Sequence, residues 1–237
     1  MEMILDGLAE AIQLLAGSDP SIWNAAWRSM WISTVAVCVA ATIGLPLGTV
    51  LARTSFPLSG FAVLCFRVGM AFPTVFIGVL CYSFFSRRGV LAPLELLYTP
   101  WAIVCGEFML ALPIIVSLTH GAVGALDRRV GETAWLLGAG RIQRMRTYLS
   151  EARSGVVLAV LTAFSRCVTE LGIAMMVGGN IKDRTRTLST ATATETSKGE
   201  FGRGLAMGLL LLLIAVCVTL VMSRVGREAH PDEEATA

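Results

Sequence analysis

The chain has 237 residues, of which 55% are hydrophobic and only 15% charged, well below the roughly 25% charged residues of soluble domains. A net charge of +2 is too small to draw a nucleic acid, whose binding rests on many phosphate contacts. Six cysteines lie inside apolar blocks and never form a Cys-x-x-Cys pair. They read as small buried hydrophobes, and neither a disulfide framework nor a zinc site is expected.

Hydrophobic residues gather into blocks of about 20, the length at which a helix crosses the hydrocarbon core. An all-α, polytopic transmembrane bundle of about five spans follows. At the start, Met1-Glu2-Met3 with Asp6 and Glu10 lacks the basic region of a cleaved leader. Residues 1–19 form an amphipathic segment with Ile4, Leu5, Leu8, Ile12 and Leu15 on one face, expected to lie in the membrane interface. Asp19-Pro20 then reads as a helix start, a capping side chain followed by proline in the first turn.

A transmembrane domain is expected over 20–226, with spans near 27–51, 60–85, 99–122, 155–177 and 204–223. Pro46 and Pro113 fall within spans, and Pro73 interrupts the second block, which reads either as one kinked span or as two half-helices. Residues 227–237 read as a charged, disordered tail. Gly44-x-x-x-Gly48 and Gly204-x-x-x-Gly208 suit close helix packing. Lysine and arginine flanking the spans number nine on one side and, counting Arg28 at the edge of the first span, eight on the other, so the positive-inside rule sets no orientation.

The polar loop at about 127–153 is the most informative segment. Unpaired backbone is costly in hydrocarbon, so a loop this long between spans must sit in water. Val130, Ala134 and Leu137 recur at helical spacing, with Glu132 and Trp135 on an adjoining stripe. Gly138 and Gly140 then permit a sharp reversal. Two short helices meeting at a glycine elbow are expected, shaped to dock a soluble partner.

The order Glu132-x-Ala134-x-x-x-Gly138 resembles the EAA loop of permease subunits in ATP-binding-cassette importers. Thr133 stands where that family has alanine, and Tyr148-Leu149-Ser150-Glu151 replaces its Ile-x-Leu-Pro ending. Leu149-Ser150-Glu151-Ala152-Arg153, Phe164-Ser165-Arg166, Glu170-Leu171-Gly172, Val177-Gly178-Gly179-Asn180-Ile181, Thr185-Arg186-Thr187-Leu188 and Glu195-Thr196-Ser197-Lys198-Gly199 are similar to tungstate-type permeases. The Gly-Asn-Ile and Thr-Arg-Thr-Leu elements also resemble molybdate permeases. The resemblance runs from about Trp23 to Arg224 and implies a type I importer bundle in a bacterial or archaeal plasma membrane. It implies a homodimer with its pathway at the interface, two cytoplasmic ATPases and an extracytoplasmic oxyanion-binding protein. Glu132, Ala134 and Gly138 would couple ATPase closure to the pathway, and the island, placed inside, would put the C-terminus in the cytoplasm.

Beyond the loop, two groups of residues carry chemistry. Lys182, Arg184 and Arg186 stand among hydroxyls over 180–203, and guanidinium forks match paired anionic oxygens. Asn180, Thr185, Arg186 and Thr187 are therefore candidates for an anion gate, against an ordinary solvated loop. Arg67, Glu107, Arg166 and Glu170 lie inside apolar blocks, where ionisable groups usually face a bundle interior or a watery cavity. Arg166 and Glu170 share a helix face at i, i+4, and Arg67 and Glu107 on neighbouring spans are expected to pair likewise.

His120 and His230 have no partners for a metal site. No Gly-x-Ser-x-Gly, His-Glu-x-x-His or phosphate-binding Gly-Lys-Ser/Thr motif occurs. The chain is thus expected to be no enzyme, with no catalytic residue, metal or cofactor of its own; ATP and magnesium would sit on the partner ATPase. Tungstate is the expected cargo, with molybdate or sulfate as alternatives. A stand-alone secondary transporter is a different class, and the internal repeat common in such proteins is not visible.

Overall fold

The computed structural model describes residues 10–14, 16–17, 19–54 and 57–228. Among the described residues ten α-helices follow residue 19: α1 (Pro20–Arg53), α2 (Ser59–Gly69), α3 (Thr74–Phe85), α4 (Pro100–Gly124), α5 (Arg128–Leu136), α6 (Arg141–Glu151), α7 (Arg153–Val168), α8 (Gly172–Gly178), α9 (Leu188–Ser197) and α10 (Phe201–Glu228). No strand occurs among the described residues. Three helices, α1, α4 and α10, are each long and apolar enough to cross a bilayer. The pairs α2–α3 and α7–α8 meet the same test as bent units, turned by 99° and 57°.

Asp19 starts α1 by accepting a 2.8 Å hydrogen bond from the Ser21 backbone N–H, with Pro20 in the first turn where its missing N–H costs nothing. The helix begins seven residues before the expected span and runs through Pro46 to Arg53. Around Pro73 the second block divides into two half-helices, Pro73 capping α3. The expected single span at 155–177 is also divided. Its break at Thr169–Leu171 is held by the Glu170 carboxylate, which accepts from the Ile173 N–H at 3.2 Å. Residues 188–197, expected as loop, form α9, started by a reciprocal Thr187–Thr190 capping box.

Helices α1 and α4 run side by side and carry the main core, with Ile32, Val37, Ile103, Leu110 and Ile115 buried between them, α3, α7 and α8. Gly44 and Gly48 allow this approach, and they serve packing within the chain. A Cβ at Gly48 would lie 2.8 Å from the Val116 carbonyl oxygen and 2.9 Å from Thr119 Cβ; one at Gly44 would meet Ile115 at 2.9 Å. Gly204 and Gly208 likewise face Thr196 and Thr192 of α9. A smaller core joins Ala11, Ile22, Leu188, Ala206 and Met207.

In the N-terminal segment the described residues bury Ala11 and leave Ile12 60% exposed, and the other residues of the expected apolar face, Ile4, Leu5, Leu8 and Leu15, lie outside the described residues. Three expectations are corrected. Helix α10 continues through Glu228, beyond Ser223 and into the segment expected as a disordered tail, of which 229–237 lie outside the described residues. Of the cysteines, only Cys81 and Cys167 are buried, while Cys38, Cys65 and Cys217 are exposed on apolar helix faces. Arg67 and Glu107 make no ion pair, since Glu107 turns into the core and Arg67 stays exposed.

Gly48→Leu is expected to destabilise the protein by about 1–3 kcal/mol, because the new side chain meets backbone on α4. Gly60→Ala, whose Cβ meets nothing within 4 Å, should not. Melting curves of the detergent-purified variants check this; an unchanged midpoint for Gly48→Leu would show the α1–α4 contact to be loose.

Candidate functional site

At one end of the bundle, α5 and α6 form a helical hairpin. Asp127 caps α5 by accepting from the Arg129 N–H at 2.9 Å, and the Gln143 side chain accepts from the Gly140 N–H at 2.7 Å at the head of α6. Between them Gly138 adopts φ +78°, a conformation that costs other residues backbone strain. Glu132 is exposed, Ala134 buried. Trp135, Leu136, Leu137 and Ile142 are 63–82% exposed around the elbow. Four large apolar side chains on one tip mark a protein contact more than a solvated loop.

The hairpin is tied to the spans through Arg53. Its guanidinium donates to the Val123 and Leu126 carbonyls at 2.8 and 3.0 Å and sits 4.8 Å from the Tyr148 ring centroid, a cation–π contact. Tyr148 in turn lies against Gly131 of α5. The result is a basic hollow of about 630 Å³ lined by Arg53, Arg128, Glu132, Trp135, Arg144 and Tyr148.

The opposite end gathers the polar segment before α10. Gly179, Asn180 and Asp183 all have positive φ, at 67°, 49° and 61°, so the chain turns tightly after α8. Thr185 knots the turn: fully buried, it donates to the Gly178 carbonyl at 2.6 Å and accepts from the Ile181 N–H at 2.9 Å. Thr187 is spent on capping α9. The two hydroxyls grouped with Arg186 as anion contacts thus point inward and shape the loop. Arg186 itself bonds Asn180 Oδ1 and Glu195 Oε1, both at 3.2 Å, while Asn180 donates to Thr194 Oγ1 at 2.5 Å.

Arg186 reaches a pocket of about 160 Å³ that also collects Arg28, Lys182, Lys198 and Arg203, against Asp183 and Glu195. Arg28 arrives from α1, donating to the Arg186 carbonyl at 2.7 Å, and Arg203 from α10, 3.8 Å from Asp19. Hydrogen bonds from Ser21, with Arg203 and Lys182 adding charge, hold the Asp19 carboxyl below its usual pKa. Sequence reasoning reached the 182–186 cluster but missed Arg28, Lys198 and Arg203, which lie far from Arg186 along the chain or read as unrelated charges. Only their placement at the starts of α1 and α10 and the end of α9 brings them together.

Between the two ends lie the intramembrane charges. Arg166 pairs with Glu170 at 3.2 Å, the arginine side chain 47% exposed and the carboxylate 2%. Glu107 is buried beside Ser33, with Glu170 nearby, and its Oε2 has no hydrogen-bond partner among the described residues. Among the described residues no cluster of three or more metal-ligating side chains occurs.

Residues 44–230 match the family described as binding-protein-dependent transport system inner membrane component. The tungstate uptake system permease protein TupB of Peptoclostridium acidaminophilum is 34% identical over 189 residues, covering 78% of this chain and 82% of that protein. TupB of Campylobacter jejuni is 35% identical over 186 residues, covering 78% of each. The molybdenum transport system permease protein ModB of Escherichia coli K12 is 27% identical over 179 residues, covering 71% of this chain and 77% of that protein. In fold, a chain of the inward-facing MetNI methionine ABC transporter superposes with a TM-score of 0.70 at 20% identity, covering 90% of this chain and 99% of that one.

The Arg186 cluster has an internal test. Glu195→Gln should cost about 1–3 kcal/mol, because the largely buried Arg186 guanidinium loses a charged acceptor. Lys198→Gln, on a side chain 53% exposed, should stay within about 0.5 kcal/mol. Equal melting shifts for the two variants would show that the Arg186–Glu195 bond does not hold the turn.

Proposed function

Because the chain belongs to the family of binding-protein-dependent transport system inner membrane components, we propose that it is the permease subunit of an ATP-binding-cassette importer that carries tungstate into the cell. The observation that carries the substrate is the 34% and 35% identity to two tungstate uptake permeases over nearly four-fifths of the chain, against 27% for a molybdenum permease. Tungstate and molybdate share charge and nearly share size, so an extracytoplasmic binding protein makes the choice between them.

The permease works as a homodimer, since five spans with two broken among them close no pathway alone. The exposed apolar faces of α2 and α3, with Phe61, Leu64, Val75 and Phe76, leave surface for lipid and for a second copy. The α5–α6 tip faces the cytoplasm, where Trp135, Leu136, Leu137 and Ile142 fit a groove of a partner ATPase. That partner binds ATP and magnesium and performs the hydrolysis; this chain supplies no cofactor.

At the outer face, the Arg186 pocket is of a size to admit a tetrahedral oxyanion, and its guanidinium forks match anionic oxygens. Asp183 and Glu195 temper its positive charge, which favours transit over capture. Glu132, Ala134 and Gly138 transmit the ATPase state: nucleotide binding favours one of two bundle arrangements through the docked hairpin.

In liposomes with its ATPase and binding protein, ATP hydrolysis should rise on adding tungstate and require all three proteins. A stronger response to molybdate or sulfate would transfer the substrate to that anion. Uptake that follows an ion gradient without any ATPase would make the chain a secondary transporter. Gly138→Val, a β-branched residue at φ +78°, strains the elbow by roughly 1–2 kcal/mol and should uncouple hydrolysis from uptake while membrane insertion persists. Undiminished transport by that variant would refute the coupling role of the elbow.

A further inference from the structure

The charge pair at the α7–α8 break borders a groove of about 420 Å³ lined by Met70, Ile114, Thr162, Ser165, Arg166 and Thr169. Three of these six, Thr162, Ser165 and Arg166, come from α7 and a fourth, Thr169, from the break that follows it, and all four are polar. Arg166 lies thirteen residues beyond Arg153, about 20 Å along the helix at 1.5 Å per residue, so the groove is deep within the span. Met70 marks the break between α2 and α3, so both broken spans meet the groove. Yet the Arg166 side chain is 47% exposed, and Thr169 is exposed with it. A charge at such depth is costly against lipid and usually faces water or protein. The exposed face of α7 is therefore one that meets water or a second copy across the pathway, and not lipid.

Resting on the importer reading above, we infer that this groove is an intramembrane way-station for the transported oxyanion, contacted by the Arg166 guanidinium and the Ser165 hydroxyl. The carboxylate of Glu170 receives one Arg166 nitrogen, Nη1, at 3.2 Å, which orients the fork and leaves its other N–H donors available. The Ser165 hydroxyl makes no hydrogen bond among the described residues, whereas Thr162 and Thr169 donate to backbone carbonyls at 2.7 and 2.9 Å. The Glu170 carboxylate paired with the guanidinium opposes a tightly held dianion. The site thus offers directional contact without the deep binding that would stall release. The Arg186 pocket at the mouth and Arg166 in the span form two steps of one cationic route.

The test uses the assembled transporter in liposomes, its native cysteines replaced by serine or alanine and uptake first verified. Single cysteines at Ser165 and, as a lipid-facing control, at the exposed Leu213 of α10 are exposed to an anionic, membrane-impermeant methanethiosulfonate. Thiolate formation needs water, so Ser165→Cys should react at least about tenfold faster than Leu213→Cys, and cycling with tungstate should slow it. In parallel, Arg166→Gln should lower maximal uptake about tenfold, the worth of one charge-assisted hydrogen bond. Its KM, set by the binding protein, should hold, and Arg166→Lys should recover part of the rate. Ser165→Cys as inert as Leu213→Cys would overturn the inference even with tungstate-stimulated hydrolysis intact, as would tungstate failing to slow labelling in such a transporter. Fast labelling slowed only by molybdate or sulfate would support the way-station while the tungstate reading failed.

Discussion

The carboxylate of Glu170 sits where three parts of the structure meet. One oxygen accepts from the Ile173 N–H and starts α8 after the break; the other holds Arg166. The Glu170 backbone carbonyl accepts from Ser189 at 2.8 Å and so ties the break to α9. A helix broken inside a membrane exposes backbone groups that lipid cannot satisfy. A buried side chain that accepts from the backbone and pairs with the guanidinium resolves that problem, and it also fixes where the arginine points. The start of α9, the break and the intramembrane cation are thereby parts of one hydrogen-bonded unit.

Around this unit the bundle is built on the close contact of α1 and α4, which Gly44 and Gly48 permit. That contact frees the remaining helices for other surfaces. Helix α10 leaves Leu212, Leu213, Val216, Leu220 and Val221 exposed, a face suited to lipid. The half-helices α2 and α3 bend by 99° and leave apolar faces that hydrocarbon or a second copy can cover. The cations at the opposite end are drawn together by helix ends, with the starts of α1 and α10 and the end of α9 each delivering charge to the Arg186 pocket.

Much of this was legible in the sequence, residue by residue. The Asp19-Pro20 start, the reversal at Gly138 and the i, i+4 relation of Arg166 and Glu170 are local, and local steric and hydrogen-bonding rules settle them. Helix α9 was not legible, because its ten residues hold six serines and threonines, which ordinarily favour turns. Here the Thr187–Thr190 capping box starts the helix, and burial of Leu188 and Ala191 stabilises it. The Arg67–Glu107 pairing failed because neighbouring spans fix no rotational register: Glu107 faces the core and Arg67 faces out.

The sequence by itself determined that the chain is an all-helical membrane protein, where its water-exposed hairpin lies, and which family it joins, because hydrophobic block length, glycine placement and local motifs are properties of consecutive residues. Only the tertiary structure decided that Pro73 and Glu170 break their spans, that Thr185 and Thr187 turn inward, and that Arg28, Lys198 and Arg203 join Arg186. Those outcomes depend on which helix faces meet, and helix rotation and tilt are set by packing between segments distant in the chain.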